Sequence, residues 1–193
     1  MAMTNLHRRH SVALGVAALV LALAWALPAN SSDTIVSPEG DKGRQTVDQS
    51  VVSTVLIDAS LNLSLLTYSG SDGDCLDLLA TRLADDAPVF RMGGCGLNND
   101  PALSLAAAQE KVRSGASPPL TIQGTQALDD NSTLAIAFGI APAGASVHLA
   151  LSDGSANMVT TPSSGYFIAW VLTDNADVLI GTLTVAGQPV QVE

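Results

Sequence analysis

Enzymatic chemistry needs a nucleophile, an acid–base pair, a metal shell or a redox couple, and few side chains in this chain suit any of these roles. The histidines are His7, His10 and His148. The first two belong to a basic head, so a Ser-His-Asp relay would have to be built on His148 alone. Around it Val147, Leu149 and Leu151 alternate with Ser146, His148, Ala150 and Ser152. That period of two puts His148 on the wet face of a half-buried strand, as an ordinary surface residue rather than a general base. No Gly-x-Ser-x-Gly elbow accompanies it.

The carboxylates are numerous but dispersed. Asp72, Asp74 and Asp77 lie close enough to suggest calcium, yet the run lacks the loop glycine and distal glutamate of an EF-hand. Turn formation accounts for Asp72 and strand polarity for Asp77. Asp85-Asp86 and Asp129-Asp130 read as solvated turns. Glycoside hydrolysis would need two facing acids, which no spacing marks, and with 3 Phe, 2 Tyr and 2 Trp a sugar-stacking cleft is disfavoured. The residues thus assign no catalytic, cofactor-binding or metal-ligating group. Asn62-Leu63-Ser64 and Asn131-Ser132-Thr133 match the glycosylation acceptor pattern, which matters only in a eukaryotic secretory route.

Cys75 and Cys95 are the only cysteines. Reactive pairs usually stand as Cys-x-x-Cys at a helix start, whereas these are far apart and flanked by Asp74 and Gly93-Gly94, so a structural disulfide is expected. It would tie the hairpin region of residues 61–80 to a turn at Gly93-Gly94.

That expectation agrees with the amino terminus. His7-Arg8-Arg9-His10 leads into an apolar stretch, residues 12–27, and then Pro28-Ala29-Asn30-Ser31-Ser32. This is the pattern of an export signal, and the remainder of the chain is expected to work outside the cytoplasm. Ala24-Trp25-Ala26 offers a cleavage site of small residues, but the stretch is long for a cleaved leader. Trp25 suits a membrane interface, and Arg8 and Arg9 would hold the amino end inside. Residues 1–29 are therefore either a signal peptide or a membrane anchor, with length favouring the anchor. All 18 acidic residues come after Ala29, against 6 basic ones once Arg8 and Arg9 are set aside from the total of 8. Such a balance excludes nucleic acid as a partner, because phosphate neutralisation needs clustered Lys and Arg.

Residues 30–46 carry turn formers and charges and read as a flexible linker. Residues 47–193 form one domain. Val51-Val52 and Val55-Leu56-Ile57 lean towards strand, Leu61, Leu63 and Leu65 alternate with polar residues, and Ser71-Asp72-Gly73 turns the chain into a second arm at residues 75–80. Further strands are predicted from Leu120-Thr121-Ile122 and over residues 133–140, 146–152, 157–161, 165–172, 178–185 and 189–192. Asp153-Gly154 closes a hairpin. Between Pro101 and Pro118, residues 105–113 are strong helix formers ending near Gly115. Their apolar stripe is thin, which predicts a decoration or loop over the range 102–113 rather than a core element. The whole is an all-β, single β-sandwich-like domain with one short helix or loop insertion, behind an amino-terminal export or anchor helix.

Gly73-Asp74-Cys75-Leu76-Asp77-Leu78, Gly93-Gly94-Cys95-Gly96, Phe138-Gly139-Ile140-Ala141-Pro142, residues 147–154 and Gly165-Tyr166-Phe167-Ile168-Ala169-Trp170 occur in an order that resembles uncharacterised exported proteins of high-GC Gram-positive bacteria. The resemblance runs from about residue 65 to the end. It implies a small β domain behind a signal or anchor and carries no activity over; the Ala-rich run at 102–112 departs from it.

Residues 166–172 are apolar on both alternating faces, so this strand is expected at the centre of the sheet. One set fills the core. The other, with Tyr166, Ile168 and Trp170, needs a cover: residues 102–112 folding back, the run at 51–57, or a partner, for which these side chains would be the anchors. The function expected is a non-enzymatic structural or binding domain at the cell surface. Its partner would be a protein or cell-surface ligand, it needs no cofactor, and membrane contact would run through residues 12–27 if uncleaved. The alternatives are a small secreted hydrolase with dispersed carboxylates and a sensory ectodomain.

Overall fold

In a computed structural model, residues 49–70, 73–96, 104–128 and 131–190 are described, all within one compact unit. The proposed leader or anchor, the linker at 30–46, Asp72 and Asp129-Asp130 lie outside them. Among the described residues no helix is long and apolar enough to cross a membrane.

The fold is all-β with one helix. Four strands, β1 (Ser50–Leu56), β2 (Leu61–Gly70), β3 (Gly73–Arg82) and β4 (Pro88–Cys95), form an antiparallel meander. The helix α1 (Leu105–Arg113) comes next, then β5 (Leu120–Ala127), β6 (Thr133–Ile140), β7 (Ser146–Leu151), β8 (Ala156–Thr160), β9 (Tyr166–Thr173), β10 (Ile180–Val185) and β11 (Gln188–Pro189). A middle sheet has the order β5-β6-β9 and a third sheet the order β11-β10-β7-β8, all pairs antiparallel.

The expected sandwich-like character is present, with three sheets rather than two. Alternation in the middle sheet explains why. In β6, Leu134, Ile136, Phe138 and Ile140 meet the first sheet, together with Tyr166 and Ile168 of β9 and Leu61, Leu63, Leu65, Leu76 and Leu78 opposite. The other set is small: Ala135, Ala137 and Ala169, with Phe167 and Val171, packs on Val147, Leu149, Leu183 and Val185 of the third sheet. A sheet covered on both faces has no wet side, so both of its alternating sets are apolar.

Two sequence expectations change here. The centre of the middle sheet is β6, buried along its whole length, whereas β9 is hydrogen-bonded on one side only. Apolarity on both faces reports two covering layers, not a position between two ladders, and so it does not distinguish β6 from β9. The open edge of β9 is sealed by Asn157, whose Nδ2 donates to the Trp170 carbonyl at 2.8 Å. Second, Gly93-Gly94 is not a turn but part of β4, in register with Asp77 and Leu76. A side chain at position 93 would run into the backbone of Leu76 and Asp77, so glycine is what lets these two strands approach.

The range 102–113 also resolves. Ser104 caps α1, its Oγ accepting from Ala107 N at 3.3 Å. At the other end Gly115, with φ +78°, closes the helix: its N–H donates to Val112 O and Ala116 N–H to Lys111 O. Leu105, Ala108 and Val112 are buried, with Leu105 and Val112 inside the first core. The helix is a core element, not a decoration. Three apolar positions suffice on so short a helix because it plugs the end of the space between two sheets.

Candidate functional site

The position of β2, β3 and α1 around one end of the first core creates an open cleft of ≈ 260 Å³, lined by Ser50, Thr67, Tyr68, Ser69, Asp74, Leu105, Ala106 and Tyr166. Asp74 organises it. Its carboxylate accepts from Ser69 Oγ at 2.6 Å and from the Leu105 N–H at 2.6 Å, one of the donors that the first turn of a helix leaves without an internal partner. The Ser69 hydroxyl first, and then the Leu105 amide, hold this carboxyl below its ordinary value. On the far wall Gln109 reaches two ways. Its Nε2 donates to Ser164 O at 2.6 Å, and its Oε1 accepts from the Tyr166 hydroxyl at 3.3 Å. Burial pushes the Tyr166 phenol up, so it stays neutral through the physiological range.

Chemically, this is a clasp. Asp74 is held ionised with its oxygens occupied and Tyr166 is held protonated, so neither exchanges a proton readily near neutral pH. The pair fastens α1 to β3 at one end and to β9 at the other.

A second cluster stands on the opposite face of β3. Asp77 is buried, and its Oδ2 accepts from Tyr68 Oη at 2.8 Å and from Arg91 Nε at 2.6 Å. The Arg91 guanidinium lies 5.2 Å from the centre of the Tyr68 ring. Asp74 and Asp77, considered together for calcium, therefore point to opposite sides of one strand, each with its own partners. Among the described residues no group of three His, Cys, Asp or Glu could hold a metal ion.

Cys75 and Cys95 are bonded. They pair directly across β3 and β4, so the bridge joins neighbouring strands at the end of the sheet next to the cleft. His148 is half-buried on the outer face of the third sheet, between Met158 and Thr184.

Tyr166 and Ile168, considered as anchors for a partner, are 6% and 5% exposed and belong to the first core. Trp170 is half-buried against the same core. The cover is the chain itself: α1 supplies Leu105 and Val112, and β1 adds Val52 and Val55. Both internal covers anticipated from the sequence are used.

The polar clusters left no sequence signature. Arg91 is fourteen positions from Asp77, and Gln109 more than fifty from Tyr166. Strand register brings Arg91 to Asp77 and the packing of α1 brings Gln109 to Tyr166, and single-sequence spacing carries neither. No protein-family model, curated protein or solved structure matches the chain.

Proposed function

We propose that this chain is an extracytoplasmic β-sandwich-like domain, tethered to the outer face of a membrane through residues 12–27 or released by cleavage, with a non-enzymatic structural or binding role at the cell surface. The observation that carries this reading is the Cys75–Cys95 bridge, since a bond between two structural strands persists in an oxidising compartment. The clasp around Asp74 supports the non-enzymatic part, because its polar groups are spent on holding α1. The ordered motifs that resemble exported β domains of high-GC Gram-positive bacteria support the same compartment. The partner would be a protein or surface ligand; a cofactor has no place in this role.

The test is to express the full chain in a Gram-positive host and treat intact cells with protease and a membrane-impermeant thiol reagent. Cleavage of the domain on whole cells, with both cysteines refractory to alkylation, is the expected result. A protease-protected chain with two alkylatable thiols in the cytosolic fraction would overturn the proposal.

A further inference from the structure

The outer face of the third sheet carries a pair of side chains that neither core uses. Val147, Leu149 and Val159 point into the second core, so the alternate residues fall outside: Ser146, His148 and Ala150 on β7, opposite Thr160, Met158 and Ala156 on β8. Met158 is 67% exposed and belongs to neither core. Backbone register sets how near it comes to His148. The Leu151 N–H donates to Ser155 O at 2.8 Å and the Thr161 N–H to Ala145 O at 2.9 Å, so the odd-numbered residues of β7 take the hydrogen-bonded positions of this ladder. His148 and Met158 therefore face each other at a non-hydrogen-bonded position. Opposed side chains stand closest there, with Cβ atoms about 4.5–5.5 Å apart. Among the described residues no hydrogen bond engages the His148 ring.

We propose that His148 and Met158 form a two-donor site for a soft monovalent cation, Cu(I) or Ag(I), held between an imidazole nitrogen and the thioether sulfur. The donors select the ion. A thioether is a poor ligand for hard cations and a good one for soft cations, whereas imidazole serves soft and borderline ions alike. No carboxylate shares the face: the positions beside the pair hold Ser146 and Thr160 in one direction and Ala150 and Ala156 in the other, with Thr184 next to His148 on β10. Calcium and magnesium need more oxygen donors than this, and zinc needs more nitrogen or thiolate donors. A soft monovalent ion is satisfied by two donors in line. Such a unit spans about 4 Å if the nitrogen and sulfur bond lengths of a d10 ion, about 2.0 and 2.3 Å, apply, and two side chains rising from directly opposed Cβ atoms can close on that span. Cys75 and Cys95 do not compete, because they are bonded to each other. Met92, the other methionine among the described residues, packs against the first core. The site does not depend on the compartment in which the domain resides.

The test is a titration of the full chain, isotope-labelled at its methionine methyl groups, with silver(I), which needs no reductant to stay monovalent. The Met158 methyl resonance, assigned by its loss in Met158→Leu, should move and saturate. His148→Gln should weaken that response about tenfold or more, since losing a ligand costs at least what losing a ligand's supporting partner does. Zinc(II) should leave the resonance in place. Because the signal belongs to one residue, silver bound by His7, His10, Met1 or Met3 is read separately. A Met158 methyl that silver does not move, that responds equally in His148→Gln, or that zinc moves as readily would overturn the proposal. Oxidation gives an independent reading on the unsubstituted chain: silver should slow conversion of Met158 to its sulfoxide by hydrogen peroxide severalfold, measured by peptide mass spectrometry. An unchanged rate would also overturn it.

Discussion

Asp74 and Asp77 stand three positions apart and do different work because they leave β3 on opposite sides. For Asp74 the folded state favours the ionised form, so its contribution to stability is complete above the ordinary carboxyl value of 3.8 and is lost as pH falls through the lowered folded value. Asp74→Ala should cost about 1 kcal/mol at neutral pH, the scale of a lost helix cap, and the difference from wild type should shrink below about pH 4. Urea melts of both proteins at several pH values measure this; a difference that grows in acid would contradict the assigned role. Asp77→Ala removes the acceptor shared by Tyr68 Oη and Arg91 Nε and should destabilise by about 2 kcal/mol, as for hydrogen bonds to a charged group. A loss within about 0.5 kcal/mol, typical of an ordinary surface site, would show that the pair is solvated in solution. At this scale the sequence was only partly legible. The cysteine pair can be inferred from count and context and the helix stop at Gly115 from residue type, whereas the cap at Ser104 emerges only in the structure. Asp77 has the look of a strand's polar position, and nothing in its spacing announces Arg91.

At the scale of elements, alternation marked β2 and β7, an unbroken apolar run marked β9, and turn chemistry marked the hairpins at Gly73 and Asp153-Gly154. β4 escaped because it opens with a proline and carries Gly93-Gly94 just before its last residue, types that signal turns except where a neighbouring backbone comes too close for a side chain. The range 102–113 read as helix or loop and not as part of the core, since its apolar stripe is thin even though Leu105 and Val112 are buried in the first core. Burial of both faces was legible in β9, but not which strand would take the centre. Gly139 makes the consequence of β6's central place measurable. It faces Phe167 on one side and Thr121 on the other, and a side chain there would run into the Leu120 carbonyl. Gly139→Ala should therefore cost about 3 kcal/mol or more, with the loss seen as a lower denaturation midpoint and with both sheets melting together. A near-neutral effect would mean that β5 can move aside.

For the molecule as a whole, the disulfide constrains only β3 and β4, while stability rests on two apolar cores that meet at one sheet. Replacing Cys75 with Ser should lower stability by about 2–5 kcal/mol, the usual range for a native bridge in a small domain, and leave the fold recognisable by circular dichroism. Complete unfolding at room temperature would show that the cores are weaker than their burial implies. Chain order adds a further consequence. β1 to β4 are consecutive along the sequence and pair only with their neighbours, so this meander closes short loops and can assemble early. The other two sheets cannot be built one after the other: β9 leaves the third sheet's run of strands to return to β6, and β10 then goes back to β7. Each sheet waits for strands that the other separates. Folding should thus show a fast step in the amino-terminal half and a slower, all-or-none step for everything after α1, and pulse-labelled amide exchange would show protection of β2 and β3 before that of β6. Equal rates in the two halves would mean that the middle sheet, not the meander, is where folding begins.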